Sequence, residues 1–171
     1  MKILQSIIWV LLFAHTMPLG AQDYSRDMET IESTMQAILD VISGSAGKTI
    51  DRARFRHLFR GDVPLHIRTK GQDGALLIRE SSVEQYIQHI MPRIEAQDFF
   101  ETIGSLTIDQ YGDIAQVFML YEARRAPDAP PFDRGINSFQ LMYDQGRWWI
   151  VSLIWQAESS GVPIPEKYLR P

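Results

Sequence analysis

The chain contains no cysteine. That excludes a disulfide framework, a thiol nucleophile, a lipid-modified cysteine and any cysteine-ligated metal. Positive charge is not in excess: 17 Lys and Arg stand against 21 Asp and Glu, a net charge of −4. Nucleic-acid binding draws on a basic surface, so no nucleic-acid partner is expected. No GxxxxGK[ST] phosphate loop, no GxGxxG turn and no internal repeat occurs. Without HxH, HxxxH or HExxH, a histidine metal site would need distant partners. Neither metal nor cofactor is expected. Long Pro/Gly or charge-only tracts are also missing, which argues against broad disorder.

What is present begins with an address. "MKILQSIIWVLLFAHTMPLGAQ" places Lys2 before an apolar stretch from Ile3 to Ala14, then Pro18 and the small residues Gly20 and Ala21. This is the pattern of a secretory signal peptide, cut near Ala21 or Gln22. Read as a membrane anchor, the run is short of the ~20 residues that span a bilayer. Residues 1–22 are therefore expected to be removed, leaving an exported protein, periplasmic or secreted, with no stable membrane span. Residues 23–171 then form one domain with a proline-rich tail. At about 150 residues it can bury roughly two thirds of its unfolded surface, which must replace crosslinks.

Met28, Ile31, Met35, Ile38, Leu39 and Ile42 recur every three or four residues and predict an amphipathic helix, with Asp27 and Glu29 in its first turn. "SGSAGK" stops it. Asp51 caps a short helix carrying Phe55, Leu58 and Phe59, ended by Gly61. In "VPLHIRTK" the period becomes two, "GQDG" turns the chain, and "ALLI" returns as a strand. A further helix carries Val83, Tyr86, Ile87, Ile90 and Met91, with Ser81 and Glu84 at capping-box spacing and Pro92 at its end. Four strands follow: "DFFETIGSLTIDQY", "IAQVFMLYEARR", "RGINSFQLMY" and "RWWIVSLIWQAE". The loop "APDAPPFD" interrupts them and the tail "SSGVPIPEKYLRP" is too rich in proline for regular structure. Helices first and strands last read as α+β.

This order, with "GDIAQVFMLYEARR", "RGINSFQLMYDQGRWWIVSLIWQAE" and "PIPEKYL", resembles the nuclear transport factor 2-like superfamily, nearest its SnoaL-like, exported bacterial members. The likeness covers Asp23 to Leu169, with its most specific piece in the last hairpin: Gly135, Asn137, Ser138, Phe139, Leu141, Gly146, Arg147, Trp148 and Ile150. It implies a cone-shaped, cystatin-like fold, in which a strongly curved antiparallel sheet wraps around N-terminal helices and leaves a cavity at the wide end. It also implies a homodimer through the outer sheet face.

In the last strand, strict alternation puts Trp148, Ile150, Ser152, Ile154, Gln156 and Glu158 on one face and Trp149, Val151, Leu153 and Trp155 on the other. Both faces are then apolar and both need cover. The helices would supply one cover, and a second subunit or the proline-rich tail the other.

The resemblance implies an acid or base inside the cone. A steroid-isomerase-like site would need a tyrosine and two acids there, and the first helix offers no tyrosine on its apolar stripe. His66 reads as a general base near neutral pH or as part of a solvated strand face. Asp62 sits at an element end, where catalytic groups and turn residues both occur. Glu122 could pair with Arg134 at the cone mouth and orient a polar ligand, or form a structural ion pair. Asn137, Gln140 and Gln156 are amides on apolar strands, holding each other or a ligand. Trp155 is core or pocket wall. Two functions follow. One is a non-catalytic pocket for a small apolar or amphipathic molecule. The other is a general acid–base enzyme, an isomerase, dehydratase or cyclase, on a small hydrophobic substrate. A desolvated pocket group shifted toward neutrality separates the second from the first.

Overall fold

The computed structural model describes residues 23–71 and 73–169. The expected signal peptide lies outside the described residues. Helix α1 runs Ile31–Ile42 and buries Ile31, Met35, Ile38, Leu39 and Ile42. Its cap is Thr30: the Ser33 amide donates to Thr30 Oγ1 at 3.0 Å and the Thr30 amide to Ser33 Oγ at 3.0 Å. That closed capping box starts the helix later than the acidic residues suggest. Asp27 and Glu29 thus precede it, Met28 is buried in a separate 3₁₀ turn, and Asp27 pairs with Arg54 at 2.7 Å.

Helix α2, Arg52–His57, is capped by Asp51, which accepts from the Arg54 amide at 2.9 Å. Its arginines reach three different elements. Arg54 holds Asp27 before α1, Arg56 holds Glu84 at 2.5 Å, and Arg52 holds Glu95 at 2.8 Å. Ion pairs this near the surface contribute little to stability, so their value is in fixing where a short helix lies.

Strands β1, Pro64–Lys70, and β2, Leu76–Ser82, form a hairpin that leads into helices α3, Val83–His89, and α4, Met91–Glu95. The capping box here belongs to Ser82 and Gln85, one residue beyond the expected Ser81 and Glu84. Pro92 does not end a helix. It stands in the first turn of α4, where its missing N–H has no intrahelical partner to lose.

The strands β3, Phe100–Tyr111, β4, Ile114–Arg124, β5, Asp133–Asp144, and β6, Arg147–Ala157, form the meander. Gln145 and Gly146, both at positive φ, make the two-residue turn of the last hairpin. The curved, unclosed sheet has the order β2-β1-β6-β5-β4-β3. Four of its pairings are antiparallel. The fifth, β1 with β6, is parallel, in register from Leu65↔Leu153 to Arg68↔Gln156. The helices pack on one face around Met35, Leu39, Phe59, Phe139 and Ile150, all nearly inaccessible. Burying each such side chain contributes roughly 1.5–3 kcal/mol.

Two β-bulges alter which residues face that core. On β3 the pairing moves from Ile103↔Tyr121 to Ser105↔Leu120, leaving Gly104 unpaired. On β6 it moves from Leu141↔Ile150 to Gln140↔Ser152, leaving Val151 unpaired. An extra residue flips the alternation. Trp148, Ile150, Leu153 and Trp155 therefore all turn inward, and Ile154, Ser152 and Gln156 turn outward. The expectation of two equally apolar faces on β6 is corrected by this bulge.

The tail crosses the outer face. The Tyr168 ring stacks on Phe118 with centroids 5.8 Å apart, and Ser105 Oγ donates to the Tyr168 carbonyl at 2.5 Å. Beneath this strap Leu120 is buried although it points away from the helices. The tail is also less irregular than its prolines suggest, with 3₁₀ turns at Glu158–Ser160 and Glu166–Tyr168.

Candidate functional site

Between the helices and the sheet lies a cavity of about 270 Å³. Helix α1 contributes Ile38, Leu39 and Ile42, and the other helices Phe55, Tyr86, Ile90 and Ile94. Leu65 and Ile67 of β1 and Phe139, Leu153 and Trp155 of β5 and β6 supply the apolar sheet wall. Tyr86 stacks on Phe55 at 5.3 Å and meets Trp155 edge-on at 6.3 Å, which fixes the ring at the interior.

The polar groups sit on β3, β4 and β5. Glu101 pairs across the sheet with Ala123, and Ala123 with Asp133, so the two carboxyls flank one small residue in a single row. Ile103, Tyr121 and Gly135 form the next row. A Cβ on Gly135 would meet Gln156 O, Ala157 Cα and, at 2.8 Å, Tyr121 Cε1. Glycine here lets the Tyr121 ring lie against β5, where its hydroxyl reaches Asp133 Oδ2 at 3.4 Å. Asn137 also lines the wall. The start of β3 is anchored to the end of α1: the Glu101 amide donates to Ser43 Oγ at 3.0 Å.

Burial pushes the Glu101 carboxyl up to about 7. The Asn137 amide, placed to hydrogen-bond the charged form, opposes the shift, and the Asp133 charge adds to it. Burial also raises Tyr86 and Tyr121 well above the ordinary phenol range, and the Glu101 charge adds to both. Those phenols stay protonated and can donate hydrogen bonds. Glu101 can hold or release a proton near neutrality. Phe132 and Asp133 line both the cavity and a surface hollow shared with Pro131, Arg134, Glu158 and Ser159, which marks that end as the mouth.

Of the residues singled out from sequence, Asn137 and Trp155 lie on this wall. The others lie elsewhere. Glu122 faces Arg134 across the β4–β5 pair, but it bonds Arg124, two residues along its own strand. Arg134 instead holds Glu158 at 2.6 Å, because the tail brings that carboxylate to it. Gln156 donates to Ser160 Oγ at 3.0 Å, and Gln140 is exposed. Asp62 accepts from the Glu84 amide at 2.9 Å at the start of α3, and this contact lowers its pKa. His66 sits opposite Glu80 and the outward-facing Ile154.

Glu101, Tyr121, Asp133 and Tyr86 were not singled out from sequence as site residues. The signal for the first was present: in "DFFETIGSL" a single carboxylate falls on the face of Phe99 and Ile103. Among the described residues no three His, Asp or Glu side chains converge to hold a metal ion.

Comparison with protein-family models and with curated proteins finds no match. Solved structures do match. A protein of unknown function with a cystatin-like fold from Nostoc punctiforme is 13% identical, with a TM-score of 0.56, over 74% of this chain and 87% of that one. An NTF2-like protein from Cytophaga hutchinsonii is 13% identical, with a TM-score of 0.56, over 74% and 94%. An NTF2-like protein of unknown function from Pseudomonas putida is 15% identical, with a TM-score of 0.52, over 82% and 86%. Identities this low speak to fold and not to activity. The curved sheet, the helices on its inner face and these likenesses agree: the chain has the nuclear transport factor 2-like, cystatin-like fold.

Proposed function

We propose that this is an exported small-molecule protein whose cavity performs general acid–base chemistry, with Glu101 as the proton-transfer group. The observation that supports it is a carboxyl, Glu101, raised toward neutrality inside an aromatic cavity, with Asp133 at the mouth, two protonated phenols nearby and, among the described residues, no basic side chain on the wall. Such a group takes a proton from carbon or oxygen near neutral pH. Tyr86 is then the donor that stabilises the oxygen on which charge develops, while the Tyr121 hydroxyl points its proton at Asp133. The substrate class is small and largely apolar, and the reaction an isomerisation, dehydration or cyclisation.

The test is proton exchange. A panel of small cyclic ketones in D₂O, followed by NMR, should show enzyme-dependent exchange next to the carbonyl, with a pH profile rising through about 7. Glu101→Gln should abolish it. Exchange no faster than in buffer across the panel, with ketone binding retained, would leave a non-catalytic pocket and remove the acid–base reading.

The same proposal includes a homodimer through the outer sheet face. Ile154, on the β6–β1 side of that face, is 49% exposed, outside the cover of the tail.

A further inference from the structure

Three partly buried carboxylates elsewhere in this protein are each answered by an arginine: Asp27 by Arg54, Glu95 by Arg52 and Glu122 by Arg124. Among the described residues Glu101 and Asp133 have no such partner. Among the described residues no arginine, lysine or histidine lines the cavity, and the polar groups there are two carboxyls, two phenols and one amide. Buried negative charge needs either a proton or a cation to offset it. A carboxylate, phosphate or thioester-linked nucleotide placed here would meet both acids with no compensating charge.

The walls are as selective as the charges. Phe55, Tyr86, Phe99, Tyr121, Phe132 and Trp155 contribute rings to this one space. Aromatic faces attract cations through their quadrupole, most strongly where water is excluded. One wall ring already does so: the Arg125 guanidinium sits 4.0 Å from the Phe132 centroid. Tyr86 lines the cavity and, among the described residues, its hydroxyl has no hydrogen-bond partner, so a ligand oxygen or nitrogen can take it.

We propose that the cavity's ligand is an organic cation, a small amine or quaternary ammonium on an apolar frame, held by the aromatic walls and by Glu101 and Asp133. This names the substrate class of the site described above and rests on that reading of the cavity. The cation enters past Phe132 and Asp133, and its charge replaces the proton on Glu101. Binding therefore releases a proton, and affinity rises with pH until Glu101 is ionised in the free protein.

The probe is benzyltrimethylammonium, whose own charge does not titrate, compared by calorimetry with its neutral carbon isostere neopentylbenzene and with cyclohexanone. The ammonium should bind more tightly than the isostere, and about tenfold more tightly at pH 8 than at pH 6. Glu101→Gln should flatten that dependence, and Asp133→Asn should weaken binding at both pH values; thermal melts establish that each variant is folded. Equal affinity for the ammonium and its isostere, or a flat pH response in the parent protein, overturns the proposal. Binding of cyclohexanone without the ammonium overturns it too, while the acid–base reading stands. Binding of neither probe overturns both.

Discussion

Glu101 and Asp133 stand two strands apart in one row of the sheet, with the small side chain of Ala123 between them. Adjacent strands are about 4.8 Å apart, so the two backbones are separated by roughly 10 Å, a gap their side chains and one ligand can share. Curvature brings the helices over the Glu101 end of that row, while Asp133 stays at the mouth. The cavity, the displaced acidity of Glu101 and the protonated phenols all follow from this placement.

The first prediction concerns stability against pH. Glu101 is raised from its ordinary 4.5 to about 7 in the folded protein. Below about 4.5 the group is protonated in both states and contributes no pH dependence. Between 4.5 and 7 the unfolded chain ionises first, so the folded state loses stability as pH rises, by up to about 3 kcal/mol in all. Glu101→Gln should remove that loss. Urea unfolding of the two proteins should give similar behaviour near pH 4 and a more stable variant at pH 8. A variant less stable at pH 8 would mean the carboxylate is held by a partner.

The second prediction separates the Asn137 amide from burial. Asn137 favours the charged form of Glu101 and burial opposes it. Asn137→Leu keeps the volume close and removes the donor, so Glu101 should titrate higher than in the parent. Carboxyl carbon NMR across pH 5 to 9 reads the midpoint directly. A midpoint that falls would show that the amide destabilises the charge.

Gly135 offers a third test, of how the site is positioned. Gly135→Ala drives a Cβ into the β6 backbone and into Tyr121 at 2.8 Å. Backbone cannot yield as a side-chain tip can, so the cost should be about 1–3 kcal/mol or more, read as a lowered denaturation midpoint. Gly104→Ala meets chiefly the Leu120 side chain, at 2.9 Å, and should cost less. Equal effects would mean the β5–β6 contact is loose.

Much of this architecture is legible in the sequence, and the losses have identifiable causes. The helix stripe of Met35, Ile38 and Ile42 and the alternation in β1 survive because burial on one face leaves a period. The reading of β6 failed at Val151, since a bulge adds a residue without any glycine or proline to announce it. Thr30 and Ser33 close a capping box that starts the helix at Ile31, so Asp27 and Glu29 fall before it and not in its first turn, which charge alone does not foretell. The site was less legible than the fold. Glu101, Asp133 and Tyr121 are distant in sequence and meet only through strand register, so no local motif joins them. Glu122 and Arg134 are register partners as expected, yet each found a nearer charge.

The fourth prediction bears on Trp155. Fully buried core aromatics cost about 3–5 kcal/mol on truncation to alanine. Trp155 is only partly buried and borders the cavity beside Tyr86, so part of its surface has no protein neighbours to lose. Trp155→Ala should cost less than about 3 kcal/mol and weaken ligand binding more than it weakens the fold. Chemical denaturation and probe affinity, measured on the same variant, give both numbers. A loss of 4 kcal/mol or so with affinity intact would put this ring in the core.

The tail decides how much of the outer face a second subunit can use. Tyr168 stacks on Phe118 and Ser105 bonds its carbonyl, so the strap covers the β3–β4 side and leaves Ile154, at the β6–β1 side, exposed. A homodimer through this face must therefore seat on the uncovered half. Ile154→Lys puts a charge there and should yield monomers in sedimentation velocity with the cavity and the fold unchanged. Tyr168→Ala acts on the covered half: it frees Phe118 and should lower stability by about 1 kcal/mol through the lost ring pair. It should leave the association state alone. If instead Tyr168→Ala abolishes association and Ile154→Lys does not, the strap itself is the dimer contact, and the face beside β1 is free.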